Sequence, residues 1–349
     1  MTINDLEFFL VQVRCDGLDA PVRCVLARMT TDTGLEGWGE AQIGWRVSEL
    51  GARRELLLPT LAGQSIFDIE ELISLDVLHD PSLRCAVEMA CWDLIGRAVG
   101  EPLCHLFGGE YRKRIPVAVR LSGKSPDEIA RLARELADQG FHSQIVPSEG
   151  QMRQDLETLG AVRETAGDRR ELQFDAGASY DLDTARDLCM ELEQSSVQCV
   201  FDPLATSELD QIASLKRQVN VPLAVRRAIR SPADVLTLLR CRAAQSLAVD
   251  LQQVGGMVLA RQCAVIAHAG EVSASVSGGP SLGIGVAAML QIAASTPAFS
   301  RANECAYHAL QDDLLVEPLE IIDGMIAVPQ APGLGVAVDR TKVEKYQVS

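Results

Sequence analysis

Asp175, Asp202, Arg226, Arg227, Asp250, Ser277 and Glu304 each fall at or beside the end of a short β-rich run in the C-terminal two thirds of this chain. Carboxylates placed that way can bind a cation, move a proton or fix a guanidinium in place. An arginine beside them favours recognition over proton transfer. Its planar fork grips a carboxylate or phosphate through two parallel N–H bonds and does not titrate near neutrality. Asp175, Asp250 and Glu304 are therefore the candidate catalytic groups. Arg226, Arg227, Asp175, Asp202, Ser277 and Glu304 are the candidate ligand-binding set.

Other catalytic patterns are missing. The five histidines are scattered, and His105 and His268 lie on apparent helix faces. No His/Glu pair has metalloprotease spacing, and no Cys/His arrangement marks a nucleophile. The ten cysteines show no CxxC, and several (Cys91, Cys189, Cys199, Cys263) sit in apolar runs, as reduced core thiols do. The SGGPSLGIG segment (277–285) could cradle a phosphate at a helix start, although a glycine-rich turn alone explains it.

The elements that must carry these residues repeat. From Arg114 to about Glu304, β-rich runs alternate with amphipathic stretches every 25–30 residues or so, the pattern of βα units around a parallel barrel. The expected strands are 114–119, 141–147, 171–175, 197–202, 221–226, 246–251 and 271–277, with a last one ending near Glu304. Helix starts are marked locally: in SPDEIARLARELADQG, Ser125 caps, Pro126 takes the first helical position, Glu128 completes a capping box and Gly140 ends the helix. Ser231-Pro232-Ala233-Asp234 repeats the arrangement. Residues 1–112 lie outside the rhythm.

At 349 residues, with 47% hydrophobic content, the chain can fill one large domain and one smaller one. Its 32 Lys+Arg against 48 Asp+Glu give a net charge of −16, which argues against nucleic acid and anionic membranes and for a small-molecule partner. The N-terminal run is too short and too charged for a signal peptide, and no apolar run of about 18 residues marks a membrane span. A cytoplasmic protein is expected.

Three segments carry a family resemblance. SLRCAVEMACWDLIGRAVGEPLCHLFGG (82–109) resembles the WDLxGK helix of the enolase superfamily, in its mandelate racemase and muconate lactonizing enzyme branch. TDTGLEGWGEA (31–41) and IIDGMIAVPQAPGLGVAVD (321–339) match in the same order and spacing. The resemblance implies an α/β fold: a TIM-type (β/α)7β barrel at 113–315, an α+β capping domain at 1–112, and a C-terminal segment at 316–349 that returns to the cap. It also implies a homo-oligomer, and a cap that closes over the barrel mouth and shapes specificity.

The family's shared step removes a proton α to a carboxylate, with magnesium on three strand-end carboxylates and a lysine or histidine base. The corresponding positions here differ. The KxK lysines become Ile145 and Pro147, and there is no lysine between Lys124 and Lys216. Of the three ligand positions only Asp175 is kept. The second reads Phe201, with Asp202 adjacent and expected to face away unless a bulge re-aims it, and the third reads Arg227. Val276 stands where a histidine ends strand seven, and Glu304 matches a strand-eight glutamate.

No metal or cofactor is therefore expected, with magnesium only if the chain is active. The leading reading is a diverged or catalytically inactive homologue. It binds a small carboxylate or phosphate through Arg227, aided by Arg226 or Arg230 and held by Asp175 and Asp250. A plainer reading has Arg227 neutralising Asp175 as a structural repair. Two alternatives stay open. One is an active racemase, epimerase, lyase or sugar-acid dehydratase with a relocated base such as His142, and the other is a structural subunit of a hetero-oligomer.

Overall fold

The computed structural model describes residues 1–167 and 170–348. Its N-terminal region opens with an antiparallel sheet of β1 (Ile3–Val13), β2 (Val22–Thr31) and β3 (Glu36–Ala41), in the order β1-β2-β3. The alternating burial along β1 shows why it is a strand: one face is core, the other is not. Helices α1 (Val47–Leu61), α2 (Ile69–Ile73), α3 (Pro81–Val99) and α4 (Leu103–Leu106) follow. Asp80 caps α3 by accepting from the Leu83 N–H, Pro81 takes its first position, and left-handed Gly100 ends it.

The glycines of β3 explain how α3 sits. A Cβ on Gly39 would lie 1.8 Å from the Ala86 carbonyl oxygen, and one on Gly37 would lie 2.3 Å from that of Ala90. Strand and helix therefore touch backbone to backbone. Leu83, Cys85, Ala86, Val87, Met89, Ala90, Cys91 and Leu94 are all buried, since α3 is wedged between the cap sheet and the second domain.

That second domain is a closed parallel barrel. Its strands are β4 (Arg114–Arg120), β5 (Ser143–Pro147), β6 (Glu171–Asp175), β7 (Cys199–Phe201), β8 (Leu223–Val225), β9 (Ser246–Asp250), β10 (Ser273–Ser277) and β11 (Asn303–Glu304). Each pairs with the next, and β11 pairs back with β4. The outer helices are α5 (Pro126–Asp138), α6 (Met152–Ala166), α7 (Leu182–Leu192), α8 (Leu209–Lys216), α9 (Pro232–Cys241), α10 (Leu251–Val254), α11 (Met257–Ala269) and α12 (Gly283–Ser295). The barrel and cap expected from the sequence are thus both present.

Local grammar works as written, with one shift. Ser125 and Ser231 accept from the Glu128 and Asp234 N–H groups, but Glu128 reaches back to the Lys124 N–H rather than to that of Ser125. Gly140 ends α5 at φ +92°. After the barrel, β12 (Ile321–Ile322) and β13 (Met325–Ala327) form a hairpin whose second strand pairs antiparallel with β4. The helix α13 (Arg340–Tyr346) then lies against β1, with Val348 donating to the Leu10 carbonyl.

Candidate active site at the barrel mouth

Barrel side chains point inward at every second residue, so the interior is built in layers. One layer comprises Ala118, Ile145, Gln173, Phe201, Ala224, Ala248, Ser275 and Ala302. Most of these line, with Asp175, Arg226 and Glu304, a cavity of about 10 Å³, room for roughly one water. Two residues further on, at the C-terminal strand ends, come Arg120, Pro147, Asp175, Asp250, Ser277 and Glu304, with Arg226 just past β8.

Four of these close an alternating ring of charge. Arg226 donates from Nη2 to Asp175 Oδ2 at 2.7 Å and from Nη1 to Glu304 Oε2 at 2.8 Å. Arg120 donates from Nη2 to the same Asp175 Oδ2 at 2.5 Å and from Nε to Glu304 Oε1 at 3.0 Å. Ser277 Oγ adds a bond to Glu304 Oε2 at 2.9 Å. Burial alone raises a carboxyl pKa, yet both acids are held below the ordinary range. Asp175 is lowered by Arg226 and Arg120, and Glu304 by Arg120 and Arg226. Reciprocally, both guanidiniums are held protonated against burial by these acids.

The remaining carboxylates bond to backbone. Asp202 is buried in a left-handed turn (φ +42°), and its Oδ1 accepts from the N–H groups of Arg226 at 3.0 Å and Arg227 at 3.3 Å. It does not point away from the site as alternation predicts, because the chain leaves the strand at Phe201 and the turn re-aims it; its Oδ2 lies 4.0 Å from Arg226 Nε. Asp250 caps α10, accepting from the Gln252 and Gln253 N–H groups at 2.9 and 3.2 Å. Burial raises both of their pKa values. Asp250 therefore does not hold an arginine in place.

The expected role of Arg227 needs correction. Arg226 itself lines the cavity, and Arg227 faces outward and is exposed. Arg230 is exposed too, so neither meets Asp175. Arg120 is not among the residues the sequence singled out. Its signal was the alternation Pro116, Ala118, Arg120, which puts a charge at the inward-facing end of β4.

Other expectations can be placed as well. Ile145 lines the interior, but Val276 belongs to the outer core and the inward position at the end of β10 is Ser277. His142 is exposed beside Arg170 at the start of β5, the far end of the barrel from Asp175, so it is no relocated base for this mouth. The helix start in SGGPSLGIG holds no phosphate cradle. Glu40 of the cap accepts from the Leu282 and Gly285 N–H groups at 2.7 and 2.9 Å, and Asp313 takes that of Gly283 at 2.9 Å. All ten cysteines are free, nine of them buried. Among the described residues no helix is long and apolar enough to cross a membrane.

The residues at the mouth do not fit the magnesium ion that the resemblance implies. Magnesium takes about six oxygens near 2.1 Å. Here Asp175 Oδ2 already receives two guanidinium N–H groups, Phe201 is inward at the next strand end, and a third strand contributes the cation Arg226.

Comparison with known proteins agrees with the architecture. Residues 19–108 match the family model of the mandelate racemase/muconate lactonizing enzyme N-terminal domain, and residues 128–342 match the enolase C-terminal domain-like model. Muconate cycloisomerase 1 of Rhodococcus opacus is 27% identical over 92% of this chain and 90% of its own length. Chloromuconate cycloisomerase of Pseudomonas putida is 30% identical over 83% and 80%. Among solved structures, the N-succinyl Arg/Lys racemase of Bacillus cereus superposes with a TM-score of 0.92 at 20% identity, covering 100% of this chain and 99% of that one. The dipeptide epimerase of Enterococcus faecalis, complexed with Mg and the dipeptide L-Leu-L-Tyr, gives 0.90 at 20% identity, covering 97% and 100%. With most of the barrel matched by one family model and most of the cap by another, the chain belongs to the enolase superfamily, in its mandelate racemase and muconate lactonizing enzyme branch.

Proposed function

We propose that this protein binds a small carboxylate beneath its cap without metal, and that it does not carry out the α-proton abstraction of its family. The observation that carries the reading is the charge ring at the mouth. Arg226 commits both Nη atoms to Asp175 and Glu304, whereas Arg120 uses Nε and Nη2 and, among the described residues, keeps Nη1 available to meet a ligand. The Arg120 side chain is 33% exposed against 18% for Arg226, so Arg120 is the accessible member.

Proton abstraction lacks a suitable base. Among the described residues no lysine or histidine occupies an inward strand-end position, and carboxylates held ionised by guanidiniums, as Asp175 and Glu304 are, are weak bases. Asp202 and Asp250 accept from backbone amides instead. A net charge of −16 favours a ligand small enough to meet the guanidinium locally.

Calorimetric titration with lactate, malate, galactonate and 3-phosphoglycerate tests the binding. The expected result is uptake of at least one of them, weakened about tenfold or more by Arg120→Gln. No uptake across the panel overturns the reading. Incubating the same acids in deuterated water, with and without magnesium, tests the second half. Deuterium appearing at the α carbon would instead favour an isomerase or lyase like the relatives.

A further inference from the structure

We infer that the guanidinium of Arg226 is a covalently tethered replacement for a bound divalent cation, held in a cage of three carboxylates and backed by Arg120. The cage comes from three separate segments. Asp175 Oδ2 lies 2.7 Å from Nη2, Glu304 Oε2 lies 2.8 Å from Nη1, and Asp202 Oδ2 lies 4.0 Å from Nε. Two nitrogens of the fork thus each hydrogen-bond a carboxylate of their own, and the third faces Asp202 at ion-pair distance.

The charge also balances. Arg120 and Arg226 together bring two positive charges to Asp175 and Glu304, the charge of one divalent ion. Asp175 and Asp202 are 4% exposed and Glu304 14%, so their ionised forms need such a partner. A tethered cation cannot dissociate or exchange, and it costs no loss of a free ion's translational freedom when the chain folds. The cage differs from the family's ligand set, sharing only Asp175 with it. The inference also stands apart from carboxylate binding, since it concerns what fills the mouth and not what approaches it.

A prediction about metal uptake follows for the full-length protein. Titration with manganese chloride, read by the paramagnetic resonance of free Mn²⁺, is expected to show no saturable site in the wild type. The variant carrying Arg120→Met and Arg226→Met is expected to take up roughly one ion per chain. Adding Asp175→Asn should abolish that uptake. Arg120→Lys with Arg226→Lys, which keeps both charges, should leave the protein without a site.

Stoichiometric uptake by the wild type that Asp175→Asn removes would overturn the inference. So would failure of the folded methionine variant to bind. If that variant folds only in part, its recovery of circular dichroism with manganese chloride, against sodium chloride of equal ionic strength, is the deciding measurement. Selective recovery is expected, and none overturns the idea. Carboxylate titrations on the wild type are unaffected by either result, so the two readings fail separately.

Discussion

Arg226 donates to Asp175 at 2.7 Å across the barrel mouth, and Arg227, the next residue, faces outward and meets neither Asp175 nor Glu304. The two arginines are adjacent in sequence and opposite in consequence. Removing the inner one leaves two buried carboxylates short of a counter-charge, a change that costs about 3–5 kcal/mol for a buried pair. Arg226→Ala should therefore lower the urea midpoint sharply. Arg227→Ala, at an exposed side chain, should stay within about 0.5 kcal/mol. Equal losses from both variants would refute the assignment of Arg226 as the inner residue.

The family scaffold was legible because its three motifs meet physically. Asp93 of the WDLxGR helix accepts from the Trp38 N–H of TGLEGWGEA at 3.0 Å and from the Leu334 N–H of the PGLG turn at 2.8 Å. A Cβ on Gly333 would lie 2.1 Å from Asp93 Oδ1, which explains the glycine. Such local, backbone-directed demands leave a readable trace. The mouth was less legible, since matching strand five to the family pattern placed the wrong arginine inward by one residue, and a one-residue slip reverses the face. At Asp202 a left-handed turn after β7 interrupts the alternation, and strand periodicity alone does not reveal where such a turn falls. Arg120 was missed because a strand-end charge gains its meaning only from the partners it meets across the barrel.

The close approach of β3 and α3 gives a second prediction. Gly39 has no room for a side chain, its virtual Cβ falling 1.8 Å from the Ala86 oxygen and 2.8 Å from the Ala86 carbonyl carbon. Backbone on both sides leaves nothing flexible to move aside. Gly39→Ala should force the strand and helix apart and lower stability by about 1–3 kcal/mol or more, the usual cost of overpacking. Gly34→Ala, where nothing lies within 4 Å but φ is +81°, isolates the backbone term alone and should cost less. Thermal melts of the two variants compare them, and a Gly39→Ala melt no lower than that of Gly34→Ala refutes the packing account.

The cap is joined to the barrel by buried carboxylates, and this sets the direction of the pH response. Glu40 caps the start of α12, with Cys24 Sγ at 3.4 Å and the Asp313 charge nearby. Glu88, on α3, accepts from the Met257 and Val258 N–H groups at the start of α11, with Arg84 and the Trp92 indole also facing it. Burial pushes both carboxyls from the ordinary 4.5 up to about 7, outweighing the amide bonds that favour the charged form. The folded state thus binds these protons more tightly than the unfolded chain. Their contribution is fully present below about pH 4.5 and is lost as pH rises through about 7, on the order of 3 kcal/mol per carboxyl. Asp175 and Glu304 act in the opposite sense: their pKa values are lowered, so their contribution is present above the ordinary carboxylate range and is lost as pH falls through the folded values. Stability should therefore peak in mildly acidic solution and decline towards pH 8. Glu40→Gln and Glu88→Gln should each flatten the decline on the alkaline side without altering the acid limb. Urea midpoints measured from pH 4 to pH 8 for the wild type and both variants decide it, and a wild-type midpoint that rises steadily to pH 8 would reverse the assigned sign.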